Sequence, residues 1–183
     1  MIANALDFVT VHLDYYLKRK TSGEKSIVRL SGVTNNNDDT LVVSVVNISE
    51  EGTIANQPNI TNQGSNILKQ APPVYINVHI LVSASFKENN YKEGLSCLST
   101  AINFFQEHPY FNSQQIQMPD GIDKLSFELV NLDIDNMSQF WRALVTNYQP
   151  SVIYKMRMLK ISSDRIEAVL PEITGTETKT NPS

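Results

Sequence analysis

From residue 72 to residue 86 the chain alternates without a break. Val74, Ile76, Val78, Ile80, Val82, Ala84 and Phe86 fall on one side, and Tyr75, Asn77, His79, Leu81, Ser83 and Ser85 on the other. A period of two predicts a β-strand with unlike faces, about 40 Å long at roughly 3.3 Å per residue. A strand of that length in a small chain points to a part that reaches toward neighbours, not one that closes over a substrate.

Elsewhere the pattern switches between helical and strand periods. Ile2, Leu6, Val9, Leu13, Tyr16 and Leu17 recur at spacings of four and three, which predicts an amphipathic helix over 2–19 closed by Gly23. A short strand is expected at Ser26–Leu30, then a polar turn at 34–39. Leu41–Ile48 is apolar on both sides, as in a central strand. Tyr91–His108 reads as a helix with stripe Leu95, Leu98, Ile102 and Phe105, a capping box from Asn90 to Glu93, and Pro109 past its end. A strand over Lys124–Leu132 turns Leu125, Phe127 and Leu129 one way. Asp135 is expected to cap a short helix carrying Met137, Phe140, Trp141, Leu144 and Tyr148. Ser151–Ile161 is the last predicted strand, with Val152, Tyr154, Met156 and Met158 on its apolar side and Lys155 and Arg157 opposite.

Strands alternating with helices give an α/β (α+β) domain over 1–170, a mixed sheet of about four main strands covered by helices. Residues 49–71 break the pattern. They are rich in Asn, Gln, Glu and Thr, and too long for an ordinary connection. An irregular hairpin or an arm at an interface is the reading favoured, and the tail 171–183 is expected to be disordered.

Composition narrows the class. The 183 residues suit one domain with a proper core, and 41% apolar with 19% charged residues is ordinary for a folded soluble protein. The net charge of −4 argues against generic nucleic-acid binding. The one dense basic run, Lys18-Arg19-Lys20, sits where cations favour a helix end. A single cysteine, Cys97, excludes an internal disulfide framework. No run approaches a membrane span and the first residues carry no secretion signal, so synthesis in the cytoplasm without direct membrane insertion is expected.

The search for chemistry finds no nucleophile elbow, phosphate loop or metal-binding helix motif. His12, His79 and His108 are far apart, and none has a second ligand at metal spacing. Cys97 reads as a small buried hydrophobe. No catalytic, cofactor-binding or metal residue is assigned. Lys155 and Arg157 are either a solvated strand face paired with Glu128 or a contact stripe for an acidic neighbouring subunit. In the pairs Phe104-Phe105 and Phe140-Trp141 one member is expected to point away from the sheet, which makes Phe104 and Phe140 candidate exposed contact residues.

Several blocks in order carry a resemblance. They are Val46-Asn47-Ile48 with Glu50-Glu51, Asn56-Gln57-Pro58-Asn59, Pro72-Pro73-Val74-Tyr75-Ile76-Asn77, Tyr91-x-Glu93-Gly94-Leu95, and residues 104–109 (FFQEHP). Leu125-x-x-Glu128-Leu129-x-Asn131-Leu132, the helix with Trp141, and Pro150-Ser151-Val152-x-Tyr154-Lys155-x-Arg157 follow. Together they resemble the N-terminal domain of the tail-terminator cap proteins of phage-tail-like contractile injection systems, the antifeeding-prophage and Photorhabdus-virulence-cassette type. Larger members of that family carry a further C-terminal domain.

The resemblance implies a non-enzymatic homohexameric ring at the distal end of the tail. That ring stops growth of the inner tube and ties it to the sheath, in a particle released from the cell or anchored to a membrane. Asn56, Gln57, Pro58 and Asn59 then join Phe104, Phe140, Lys155 and Arg157 as candidate interface residues, with tube and sheath proteins as partners. An adaptor or anchoring ring elsewhere in the particle is the first alternative. A small α/β enzyme or ligand-binding domain is the second.

Overall fold

Val9, Leu13 and Leu17 are fully buried and one turn apart, and with Ala5 and Leu6 they give the first helix its inward stripe. That helix, α1, spans Ile2–Thr21, and Lys18, Arg19 and Lys20 fill its last turn, where cations meet the negative end of the helix dipole. The computed structural model describes residues 1–21, 26–33, 35, 38–52, 59–63, 66–70, 74–161 and 166–171. After α1 come β1 (Val28–Leu30), β2 (Thr40–Glu50), β3 (Asn59–Gln63), β4 (Asn66–Gln70) and β5 (Val74–Ser85). A single 3₁₀ turn then leads into α2 (Tyr91–Glu107), followed by β6 (Tyr110–Asn112), β7 (Lys124–Val130), α3 (Ile134–Ala143), β8 (Ser151–Ile161) and β9 (Ile166–Pro171).

The chain forms two compact units, Met1–Glu51 with Tyr75–Lys160, and Gly52–Val74 with Ile161–Ser183. The first holds a six-stranded mixed sheet of order β1-β2-β5-β8-β7-β6. β1 and β2 pair in parallel, and β2–β5, β8–β7 and β7–β6 are antiparallel. The second holds a three-stranded antiparallel sheet of order β3-β4-β9.

One face of the large sheet is covered by α1 and α2. Leu41 and Val43 of β2, Val78, Ile80 and Val82 of β5, Leu125 and Phe127 of β7, and Tyr154 and Met156 of β8 form one buried cluster with both helices. Phe105 of α2 stacks on Tyr154 at 4.1 Å between ring centroids. The opposite face is partly covered by α3, whose Trp141 packs on Leu81 and Ile153. The helix-covered mixed sheet is therefore present, with six strands where about four were expected.

The two-residue period of 74–86 is a real strand, yet its polar side is not a solvent face. Asn77, Ser83 and Ser85 are all buried, because that side also lies under cover. β2 is buried on both faces only over 41–44; Val45 and Ile48 are exposed beyond it. The stripe of α2 is displaced from the expected one. Gly94, Cys97, Leu98, Ala101, Phe104 and Phe105 face inward, while Leu95 and Ile102 are exposed. Gly94 sets that rotation: a Cβ there would lie 2.8 Å from Cγ of Phe86, so only the bare backbone lets the helix approach.

Two caps also differ from expectation. Asn90 makes no side-chain cap for α2, because the preceding turn already bends the chain and its side chain serves Asp39 instead. α3 is capped by Asp133, whose Oδ1 accepts from the Asn136 amide at 2.8 Å, and Asp135 sits in the first turn. The polar stretch 49–71 contains the hairpin β3–β4, in unbroken register from Asn59↔Gln70 to Gln63↔Asn66. β6 and β9 have no counterpart in the sequence reading. The tail beyond Pro171 and the turn around Gly23 lie outside the described residues.

Candidate interface surfaces

Where α3 ends, the outer face of the large sheet becomes polar. Glu51 follows the last residue of β2, and its amide extends the ladder by donating to the Tyr75 carbonyl at 2.8 Å. Its side chain is 5% exposed. One carboxylate oxygen, Oε2, accepts from Arg157 Nη2 at 3.1 Å, Arg157 Nε at 3.4 Å and Asn77 Nδ2 at 3.1 Å. Arg157 Nη1 also reaches Glu128 Oε2 at 3.5 Å. The guanidinium thus links a buried carboxylate at the end of β2 to an exposed one on β7.

Lys155 stands directly opposite Glu128 in the β7–β8 register, but the Glu128 ion pair goes to Arg157. Lys155 has no ion pair among the described residues. It lies beside His79, and burial first, then the Lys155 charge, pushes the imidazole below the ordinary histidine range. His79 is therefore biased toward its neutral form beside the Lys155 cation.

Around α3 the surface is apolar. Ile134 is 88% exposed and Val145, just past the helix, is 86% exposed. Val145 also has φ of +55°, a left-handed conformation that β-branched residues seldom adopt. Tyr148 is exposed too, and its ring meets that of Trp141 at 5.7 Å. Between them a cavity of about 470 Å³ is lined mainly by Leu132, Ile134, Met137 and Trp141.

The predicted contact aromatics fare differently. Phe104 is 2% exposed, packed against Tyr16, Phe105, His108 and Phe111, so its expected exposure is corrected. The rotation of α2 set by Gly94 turns both phenylalanines of that pair inward. Phe140 is half-buried, edge-on to Trp141 at 6.0 Å, and packs on the α3 cluster instead of standing free. Asn56, Gln57 and Pro58 lie outside the described residues, and Asn59 opens β3. Cys97 is buried, which raises its thiol above the ordinary range, Glu93 adding to the effect.

The sequence treated His12 and His108 separately; the structure brings them to one cleft. Each ring lies against Phe111, at 5.6 and 5.8 Å between centroids. Nothing local in the sequence signals this, because it depends on α1 packing along α2. Among the described residues no group of three or more histidine, cysteine or acidic side chains is arranged to hold a metal ion. No described helix is long and apolar enough to cross a membrane.

Comparison with known proteins follows the same lines. Residues 8–174 match a family model described as the Pvc16 N-terminal domain. Among solved structures, the chain is similar to the PVC sheath/tube terminator of an extracellular contractile injection system in its extended state, with a TM-score of 0.64 and 14% identity, covering 96% of this chain and 63% of that one. It is also similar to the anti-feeding prophage cap (AFP tube terminating cap), with a TM-score of 0.56 and 18% identity, covering 97% of this chain and 60% of that one. This chain therefore spans about three fifths of the length of either structure. No curated protein matches.

Proposed function

This chain belongs to the Pvc16 N-terminal domain family, and from that premise we propose that it is a structural terminator of a contractile injection particle. In this reading it forms a homohexameric ring on the last layer of the inner tube, ends tube growth and ties the tube to the sheath. It catalyses nothing, and it works as part of a particle that is released or membrane-anchored. The observation that carries the reading is a fold shared, over nearly the whole chain, with both a sheath/tube terminator and a tube terminating cap.

The physics of ending a tube supports it. Stacked tube layers present a head-to-tail interface that never closes, so the polymer grows indefinitely. A ring whose one face fits the last layer and whose other face does not repeat that fit stops it. Such a ring needs broad contact surfaces more than a deep pocket. The exposed apolar patch around α3 and Lys155, which has no ion pair among the described residues, are surfaces of that kind. Residues 56–59, Phe140 and Arg157 remain proposed contacts; buried Phe104 supports its surface from below.

Gold labelling of a tagged copy in purified particles tests the assignment. Label confined to the end distant from the baseplate is the expected result. Label at the baseplate, or along the shaft, overturns it and favours an adaptor ring.

A further inference from the structure

The second half of α1 and the last turns of α2 enclose a cleft of about 570 Å³, closed on one side by β6 and the loop after it. Its wall is a continuous run of rings. Tyr16 meets Phe104 at 5.5 Å, Phe104 meets His108 at 5.1 Å, His108 stacks on Phe111, and His12 leans on the same Phe111. Both imidazoles are oriented from behind: His12 Nδ1 donates to the Phe8 carbonyl at 2.8 Å and His108 Nδ1 to the Phe104 carbonyl at 3.0 Å. A carbonyl only accepts, so the proton sits on Nδ1 and each Nε2 is turned away from its own helix backbone. The Tyr16 hydroxyl is enclosed there, next to the Glu107 carboxylate and the Lys20 ammonium.

The rim is cationic in a chain that is acidic overall. Arg19 and Lys20 line the cleft against one carboxylate, Glu107. Glu107 lies 3.8 Å from Lys20, with both side chains more than half exposed, so that pair is loose. Arg19 rests 5.9 Å from the Tyr15 ring and has no carboxylate partner among the described residues. Lys20 also sits 5.2 Å from the centre of the Tyr16 ring, so the cleft joins an aromatic wall to two cations against one loosely held carboxylate within a molecule of net charge −4.

We infer that this cleft receives an acidic segment of a partner protein, with a carboxylate of the segment on Arg19 and Lys20 and an adjoining apolar side chain against Tyr16, Phe104 and Phe111. Charge complementarity selects the sign of the occupant and the ring wall selects its apolar neighbour. A nucleic acid fits less well, because two cations in an acidic molecule make no track for a phosphate backbone. The inference rests on the proposed function only for where the partner resides; the cleft and its charge stand without it.

The test uses the full chain and a fluorescein-labelled, capped peptide alternating glutamate with phenylalanine, against the same peptide carrying glutamine for glutamate. Fluorescence anisotropy is expected to show the glutamate peptide binding about tenfold tighter or more, with the advantage falling as salt screens the rim. Arg19→Glu with Lys20→Glu should abolish that preference, and the milder Arg19→Gln with Lys20→Gln should reduce it, with unchanged circular dichroism in each. Lys92→Glu, a charge reversal on an exposed site at the other end of α2, should leave it intact.

Equal binding of the two peptides, binding indifferent to the Arg19 and Lys20 changes, or no binding overturns the inference. So does tighter binding of an oligothymidylate, or loss of self-association in light scattering on charge reversal, which would make a second copy the occupant. Peptide binding reads the cleft alone and gold labelling reads the station in the particle, so either idea can fail without the other.

Discussion

Asp14 gathers four donors at once. Its Oδ1 accepts from the amides of Ile27 at 2.8 Å and Val28 at 3.0 Å, where β1 begins, and its Oδ2 meets the Lys18 ammonium at 2.8 Å. Burial pushes this carboxyl up, but the bonds from Lys18, Ile27, Val28 and Ser26 outweigh it and hold the group below its ordinary 3.8. A lowered carboxylate stabilises the fold above the unfolded value and loses that contribution as pH falls through the folded one. Asp14→Ala should therefore cost about 1–3 kcal/mol in urea unfolding at neutral pH, with the gap to the parent closing below pH 3.8. Asp14→Asn, which keeps an acceptor for the two amides, should cost less.

Arg157 and Lys155 are neighbours on one strand face with opposite duties. Arg157→Ala removes the guanidinium from the buried Glu51 carboxylate, which should cost about 2–4 kcal/mol by the same measurement, toward the lower end of buried pairs because the guanidinium is partly exposed. Lys155→Ala removes no ion pair and should change stability by less than about 0.5 kcal/mol. In the proposed ring its effect would appear in assembly alone.

At the scale of elements, close approach governs what residue type alone does not. Gly94→Ala would normally favour a helix by about 1 kcal/mol. Here the new methyl meets the root of the Phe86 side chain at 2.8–3.1 Å, so the helix or the ring must shift. Thermal unfolding should show net destabilisation of about 1–2 kcal/mol, with Phe86→Leu in the Gly94→Ala background restoring part of it.

The same contact explains where the sequence was readable. β5, the body of α1, β7 as far as Phe127 and β8 from Val152 to Met156 follow their periods, because repeating apolar spacing leaves little choice of face; Leu129, expected on the same side of β7, is exposed at the end of the strand. The face of α2 was not readable from apolar identity, since Leu95 and Ile102 are the larger side chains and yet lose the inward positions to Gly94 and Ala101. Asp133 and Asp135 offer the same chemistry two residues apart, and only backbone geometry chooses the cap. β9 pairs with β4 in a register between distant segments, which no local pattern encodes. The histidine cleft belongs to the same class: His12 and His108 become neighbours only after two helices pack.

For the whole molecule, the sequence offered surfaces in place of a reaction centre, and the structure adds an exposed apolar patch at α3 and a cationic aromatic cleft at α1 and α2. Termination predicts that these surfaces matter collectively and that their loss appears in the particle, not in a turnover rate. The most direct measurement is the length distribution and sheath occupancy of particles, by electron microscopy, from cells lacking this protein. The account predicts tubes of uncontrolled length, or tubes that shed their sheath, both restored by supplying the protein. Particles of uniform length with the sheath firmly attached, in its complete absence, would contradict it.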